Sequence, residues 1–406
     1  LLQLRFFVTN DILFRGKIYS LLAINRTRRS QMSIQEKILS KISSFFGNII
    51  PRSNKTIVFE SFLGRQFSDN PRAIYEYIQE KYPEYKCYWS VDPKYLDKFK
   101  GHNLNVIKRF NLKWLFVMAR AKYWVSNSRI PLWVKKPKGT VYIQTWHGTP
   151  LKKLALDMET INPNWKNPHM YKKNFVMETA RWDYLISPNE YSTKIFKRAF
   201  DFKNKMIESG YPRNDFLINY NNIETINKIK KSLGIPIDKK VIMYAPTWRD
   251  RFSFELPLSL TNLKQKLGDE YFLIFRLHYL VTRTSDLVGH QDFVKNVSSY
   301  NDINELYLIS DILITDYSSV FFDYAVLQRP MIFYCYDIDE YKNELRGFYF
   351  DFENNAPGPI VKTTDELIHA IKYIDNYKVQ AEFVKTLTSL EDGKASERVV
   401  EEIFHK

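Results

Sequence analysis

Short apolar runs alternate with amphipathic segments along most of the chain, from about residue 52 onward. Runs rich in β-branched and aromatic residues are typical of buried strands, and the segments between them have helical spacing. In the first half of the chain we predict helices at 71–81 and 111–120. The strands predicted for this half are 56–62, 86–91, 104–108, 121–126, 141–146, 183–187 and 205–209. The alternation of strand and helix indicates a parallel sheet with crossover helices.

A second series of the same kind follows a Gly-Ile-Pro stop signal at 234–236, which ends a polar helix predicted at 222–233. The strands predicted for this half are 240–245, 271–277, 293–297, 311–315 and 331–335. We therefore expect two α/β domains, at 51–236 and 237–406. A chain of 406 residues is long enough to build two such cores.

Residues 1–50 have a different pattern, with apolar residues at roughly helical spacing and Lys and Arg between them. The pattern predicts basic amphipathic helices. They either rest on an anionic membrane surface or dock as a pair on the main body, and the sequence leaves both alternatives open. No secretory signal is visible at the start of the sequence. Because the sequence begins at Leu1 and not at Met, we expect a fragment or a processed form of a longer protein.

The formal net charge of +15 indicates an anionic partner, such as a nucleotide, a nucleic acid, an anionic lipid or an anionic polymer. We expect no nucleic-acid partner, because the basic residues are spread out and no recognised nucleic-acid motif is present. Cys87 and Cys335 lie far apart in apolar runs and fit neither a disulfide framework nor a zinc site. No run approaches the ~18 apolar residues of a membrane span.

The first candidate site follows one of the predicted strands, where the chain reads Trp-His-Gly-Thr-Pro. We expect Gly148 to permit a sharp turn and Thr149 to cap a helix that starts at Pro150. This arrangement presents His147 at the carboxyl edge of the sheet, where a neutral imidazole can accept a proton from a hydroxyl. Further along, Asp157 orients His147, binds an acceptor hydroxyl, or is a solvated helix residue.

A second candidate site follows the predicted strand 311–315. Ser318 and Ser319 start a helix there, and their hydroxyls together with free backbone N–H groups can bind a phosphate. Asp316 precedes them, and Asp323 lies four residues after Ser319 on the same helix face, within reach of ribose or polyol hydroxyls. Taken alone, the serines fit an ordinary helix cap equally well.

Two further segments carry cations at strand ends. Arg276 and His278 project to one face of a strand, where a cation pair can neutralise a pyrophosphate; otherwise Arg276 belongs to a buried ion pair. Arg249 is a candidate phosphate ligand or a surface partner of Asp250. Together the four segments predict a donor–acceptor cleft, with a base in the first domain and cationic or hydroxyl groups in the second.

The chain resembles the CDP-glycerol glycerophosphotransferase family of teichoic acid polymerases and primases over roughly residues 50 to 395. The segments that carry the resemblance are, in order, WHGTPLKKL, SGYPRND, APTWRD, FRLH and LITDYSSVFFDYAVLQRPMIFY. The resemblance implies a GT-B fold, with two Rossmann-like domains and the active site between them. It also implies transfer of a polyol phosphate from a CDP-polyol to a hydroxyl, with release of CMP.

The residues and the resemblance together assign the site. The catalytic set is His147, His278 and Asp157. The donor-binding set is Arg249, Arg276, His278, Asp316, Ser318, Ser319 and Asp323. The acceptor-binding set is Gly148, Thr149, Lys152 and Lys153.

The implied reaction begins when His147 removes a proton from the terminal hydroxyl of a lipid-linked poly(glycerol phosphate) acceptor. That oxygen attacks the β-phosphate of CDP-glycerol, and CMP leaves. We expect no tightly bound cofactor or metal, because protein cations can neutralise the phosphates, and we leave magnesium dependence open. We expect a peripheral protein at the cytoplasmic face of the cell membrane.

Several choices stay open at this point. They are a glycerol or a ribitol donor, a primase or a polymerase, and a monomer or a homo-oligomer. A GT-B glycosyltransferase of capsule synthesis, which moves a sugar from a nucleotide sugar, is the alternative enzyme class.

Overall fold

The computed structural model describes residues 34–159, 168–247, 256–277, 287, 289–338, 347–376 and 381–404. Its strands are β1 Ser53–Glu60, β2 Lys86–Val91, β3 Val106–Lys108, β4 Ala121–Ser126, β5 Val141–Gln144, β6 Tyr184–Ser187, β7 Lys205–Glu208, β8 Lys240–Tyr244, β9 Tyr271–Phe275, β10 Val294–Asn296, β11 Ile312–Thr315, β12 Met331–Tyr334 and β13 Ile360–Val361. Every predicted strand is confirmed to within a few residues, and β13 was not predicted.

The helices lie between the strands. They are α1 Ile34–Ile49, α2 Asp69–Lys81, α3 Leu112–Arg120, α4 Pro168–Thr179, α5 Glu190–Ala199, α6 Asp215–Asn219, α7 Ile223–Ser232, α8 Leu260–Leu267, α9 Ile303–Ile309, α10 Val320–Tyr324, α11 Phe352–Asn355, α12 Thr364–Lys372, α13 Ala381–Thr388 and α14 Ala395–Phe404. Short 3-10 turns occur at Pro93–Phe99, Ala155–Asp157, Pro212–Asn214, Ala325–Leu327 and Ile374–Asn376. Side-chain caps begin several helices, as at α3, where the Asn111 side chain accepts from the Trp114 N–H.

The strands form two parallel sheets. The first has the order β3-β2-β1-β4-β5-β6-β7 and the second the order β10-β9-β8-β11-β12-β13. In each sheet the order reverses at one point, between β1 and β4 and between β8 and β11. Ligands of such sheets bind beyond the carboxyl ends of the strands next to this point. The predicted α/β class with parallel sheets is confirmed.

Apolar side chains cover both faces of the central strands, which is why these strands read as continuous apolar runs. All five residues of β9 and all four of β11 are buried. Two segments pack on the sheet of the other half of the chain. The helices α6 and α7 contribute Leu217 and Ile229 to a core of the second sheet, and α14 places Val399 and Phe404 against the first. The domain boundary at 236 stays a prediction, because the chain crosses between the sheets more than once.

The helix α1 is the part of the predicted basic helical region that the structure describes; residues 1–33 lie outside the described residues. One face of α1 packs on the first sheet's core through Leu39, Ile42 and Phe46. Its other face leaves Phe45 and Ile49 exposed. This helix docks on the main body, and attachment of the region to a membrane stays a prediction. No helix among the described residues has the length and apolar character needed to cross a membrane.

Candidate active site

The switch points of the two sheets face each other across one cleft of ≈ 880 Å³. The loops after β1 and β5 line it from the first sheet, and residues that follow β9 and β11 line it from the second. Gly148 on one side lies close to Ser319 on the other. A Cβ built on Gly148 would lie 3.2 Å from the Ser319 hydroxyl oxygen. The structure therefore brings together the first and second candidate sites of the sequence.

The backbone just before His147 is strained. Trp146 has a φ of 53°, in the left-handed region, where a non-glycine residue costs roughly 1–3 kcal/mol. The Trp146 N–H donates to Gln144 Oε1 at 2.9 Å, and the indole packs on Phe200 with ring centroids 4.6 Å apart. The same indole stacks on the imidazole of His147, with centroids 4.6 Å apart. These contacts hold the turn that presents His147 to the cleft.

Hydrogen bonding selects one tautomer of His147. Its Nδ1 lies 2.9 Å from the carbonyl oxygen of Asn127. A carbonyl oxygen only accepts, so Nδ1 carries the proton and Nε2 keeps the lone pair in the neutral ring. The imidazole is open to the cleft, but the protein around it displaces water. This desolvation disfavours the charged ring and lowers the pKa of His147, whereas the charge of Asp69 acts to raise it. The ring is therefore neutral near pH 7, and Nε2 can accept a proton.

The helix predicted to start at Pro150 is wrong. After the cleft residues Gly148, Thr149 and Pro150 the chain continues without a helix, and Lys152 forms an antiparallel bridge with Phe348. The N–H of Lys153 donates to the Gly347 carbonyl at 3.0 Å. Pairing with this distant segment satisfies the backbone groups that a helix would have satisfied, so tertiary contacts override the local helix-start signal.

The structure does not bring Asp157 to His147. Both carboxylate oxygens of Asp157 accept from Arg198, and one also accepts from the Tyr349 hydroxyl at 2.8 Å. The predicted orienting role is therefore wrong, since the Asn127 carbonyl occupies the position at Nδ1. Within the acceptor set, Gly148, Thr149 and Lys152 line the cleft, whereas Lys153 pairs with Glu159 and does not line it.

Ser318 and Ser319 lie where the sequence predicted them, between β11 and α10, and both line the cleft. Ser319 is the first residue before α10, but its side chain makes no capping hydrogen bond. An ordinary helix cap therefore does not account for the Ser319 hydroxyl, which faces Gly148 across the cleft.

The structure also describes Arg276 and Asp316 of the predicted donor-binding set. Arg276 lines the cleft, and its Nη1 donates to the carbonyl oxygens of Val297 and Ser298 at 3.0 and 2.9 Å, so it also shapes the loop after β10. Burial lowers the pKa of Arg276. Asp316 is buried and accepts from the Thr247 N–H at 2.8 Å.

Asp323 lines the cleft, and its role in binding ligand hydroxyls stays a prediction. Both of its oxygens accept from the buried guanidinium of Arg213, at 2.8 and 2.9 Å. Arg249 and His278 lie outside the described residues, and their roles stay predictions.

Sequence reasoning missed the residues that connect these parts. Arg213 follows β7 in the SGYPRND segment, which was noted without a role, and Asn127 directly follows β4. Both follow strands that were predicted correctly. Inspection of every polar residue after a strand would have found them, whereas only the structure shows that Asp69 joins the two.

The CDP-Glycerol:Poly(glycerophosphate) glycerophosphotransferase family matches residues 43–405. The chain belongs to this family. The teichoic acid poly(glycerol phosphate) polymerase of Bacillus subtilis is 57% identical over 87% of the chain, and that of Bacillus spizizenii is 52% identical over 92%. The chain spans 49% of the first relative's length and 97% of the second's.

A solved structure of a wall teichoic acid polymerase has the same fold. It is a histidine-to-asparagine variant of the wall teichoic acid polymerase TagF with CDPG, 42% identical in sequence. The TM-score is 0.84, and the match covers 92% of this chain and 98% of that one. The family resemblance, the transferase class and the assignment to teichoic acid synthesis are thereby confirmed.

Proposed function

We propose that this chain is a GT-B glycerophosphotransferase that extends a lipid-linked poly(glycerol phosphate) chain. It transfers glycerol phosphate from CDP-glycerol to the terminal hydroxyl of the acceptor and releases CMP. His147 is the general base. Family membership and the relatives named above support this class of reaction. The cleft is lined from both sheets, which supports a base on the first sheet and donor binding on the second.

One observation carries the proposal: His147 and the hydroxyls of Ser318 and Ser319 line opposite sides of the same cleft, and Nε2 of His147 has a free lone pair. Nε2 takes the proton of the acceptor hydroxyl as its oxygen forms a bond to the β-phosphorus of the donor. The bond from that phosphorus to the bridging oxygen breaks, and CMP leaves with the electron pair. The serine hydroxyls and Arg276 stabilise negative charge on the phosphates.

Metal ligation is not evident in this cleft. Within the described residues no three His, Cys, Asp or Glu side chains gather into a metal-binding group. Magnesium dependence of the reaction stays a prediction to be measured.

The function is tested by measuring CMP release with a defined lipid-linked acceptor and CDP-glycerol, CDP-ribitol or nucleotide sugars in parallel. We expect CMP release with CDP-glycerol and products longer by many glycerol phosphate units. Preference for CDP-ribitol would indicate that the chain transfers ribitol phosphate instead of glycerol phosphate. Addition of one unit would indicate a primase, and turnover of a nucleotide sugar alone would refute the proposal.

The acceptor is anchored in a lipid surface, so a lipid-facing surface on the enzyme would support this function. The exposed face of α1 carries Ile38, Phe45 and Ile49, and α3 adds Leu112 and Phe116 beside it. Lys37 and Lys41 are also exposed on α1. Apolar side chains with lysines among them are typical of helices that rest on anionic membranes, and we propose peripheral attachment through this face.

We expect the double change Ile38→Glu and Phe45→Glu to weaken binding to anionic liposomes at least tenfold, with CMP release from a soluble acceptor analogue retained. Each change replaces buried apolar area in the lipid by a carboxylate that anionic lipid repels. Co-sedimentation with the liposomes measures the effect. Ile223→Glu, at an exposed apolar position of α7, is the matched control. Equal binding by the double variant and the control would contradict attachment through α1.

A further inference from the structure

We propose that Arg213 is a positioning residue that holds the base-bearing loop of the first sheet in register with the serine-bearing loop of the second. The inference rests on the proposed function and assigns a role to the SGYPRND segment. Arg213 lies in the 3-10 turn Pro212–Asn214, which follows β7 after a short connection, where the chain passes from one sheet to the other.

The guanidinium of Arg213 contacts one carboxylate on each side of the cleft. Its Nη1 donates to Asp69 Oδ1 at 2.6 Å, at the start of α2. Its Nη2 donates to both oxygens of Asp323 at 2.8 and 2.9 Å, in α10, the helix that follows Ser318 and Ser319. Arg213 is only 7% exposed, so solvent screens these contacts little.

A second set of contacts connects this ion pair to His147. The other oxygen of Asp69 accepts from the Asn127 side-chain amide at 2.7 Å, and the Asn127 carbonyl is the acceptor that sets the tautomer of His147. A parallel connection runs through Asn70. Its Oδ1 accepts from the Arg213 N–H at 3.1 Å, and its amide donates to the carbonyl of Trp146 at 3.3 Å.

Two features indicate that the surrounding structure stabilises an arrangement that would otherwise be unfavourable. Asp69 has a φ of 65°, a left-handed backbone that a non-glycine residue keeps only where the surroundings enforce it. Burial would lower the pKa of Arg213, but Asp323 and Asp69 outweigh burial and raise that pKa. The guanidinium therefore stays charged and holds the two carboxylates, which would repel each other without it.

An arginine suits this position because its planar fork donates in two directions at once. A lysine keeps the charge but offers one ammonium group to two carboxylates that approach from different elements. We therefore expect Arg213→Lys to fold and to let the loops of His147 and Ser319 shift relative to each other. Misplacement of reacting groups by about 1 Å lowers rates on the order of 100-fold.

The test compares Arg213→Lys with Arg109→Lys in the full chain. Arg109 pairs with buried Glu60 at 3.0 Å within the first sheet, outside the cleft lining, and so controls for loss of a buried ion pair. We expect Arg213→Lys to lower kcat about 10- to 100-fold with little change in KM for CDP-glycerol, while Arg109→Lys changes Tm but leaves kcat within about threefold. Equal kcat for the two variants would overturn the inference.

The pH profile gives a readout that a purely structural role would not produce. Asp69 raises the pKa of His147 and Arg213 lowers it. The acid limb of kcat/KM should therefore move to lower pH in Asp69→Asn and to higher pH in Arg213→Met. If Arg213→Met does not fold, the test rests on Asp69→Asn. An acid limb of kcat/KM that does not move in Asp69→Asn overturns the inference. Absence of CMP release by the wild type would instead refute the proposed function.

Discussion

His147→Ala is expected to lower turnover of CDP-glycerol by ~10²–10⁴-fold, the range for loss of a general base. The Asn127 carbonyl holds the proton on Nδ1 and leaves Nε2 to accept the proton of the acceptor hydroxyl. Alanine removes that acceptor, so the attacking oxygen must lose its proton to water. Binding of CDP-glycerol, measured by titration calorimetry, should persist because the donor contacts are assigned to the second sheet.

The control for this change is His369→Ala, an exposed histidine on α12. It should keep wild-type turnover. The wild-type pH profile provides a second check, because the cleft lowers the pKa of His147. Activity should persist below pH ~6.5, the ordinary pKa of histidine, and fall only as the ring gains its proton. Near-normal turnover by His147→Ala would contradict the base assignment.

Gly148→Val is expected to lower kcat/KM about 100-fold, the size of effect that misplaced reacting groups produce. The first carbon of any side chain at 148 would lie 3.2 Å from Ser319 Oγ, and valine adds two further carbons beyond it. The cleft must then open at the point where the two sheets approach each other. Gly148→Ala needs only a small movement of Ser319, so activity should decrease in the order glycine, alanine, valine.

Gly47→Ala serves as the control for this series. A Cβ on Gly47 meets Pro137 at 3.6 Å, an ordinary contact, and should leave activity unchanged. Thermal unfolding of each variant separates loss of fold from loss of alignment. If Gly148→Val were as active as Gly47→Ala, close contact between Gly148 and Ser319 would not be required during turnover.

Much of the fold was predictable because its strands are buried on both faces. Continuous apolar runs such as β9 and β11 have few alternative explanations, and their alternation with helical segments indicates a parallel sheet. The short edge strand β13 has only two residues and was missed. The helix expected at Pro150 was also wrong, since its capping signal is local while the bridge from Lys152 to Phe348 is not.

The residues of the candidate site were likewise predicted only in part. Residue type and position after a strand were enough to select His147, Ser318, Ser319 and Arg276, and the structure places all four around one cleft. The same signals misjudged Asp157. A carboxylate at a suitable spacing is recognisable in a sequence, but the arginine that occupies it comes from a distant segment.

The sequence by itself determined the two parallel sheets, the family and the loops that carry the reactive groups, because these depend on local hydrophobic pattern and local motifs. Only the tertiary structure decided how those groups are aligned. The tautomer of His147 depends on a carbonyl 20 residues away, and the guanidinium of Arg213 binds Asp69 at the start of α2 and Asp323 in α10. Hydrogen bonds between distant segments form only after the chain has folded, and no local pattern encodes their partners.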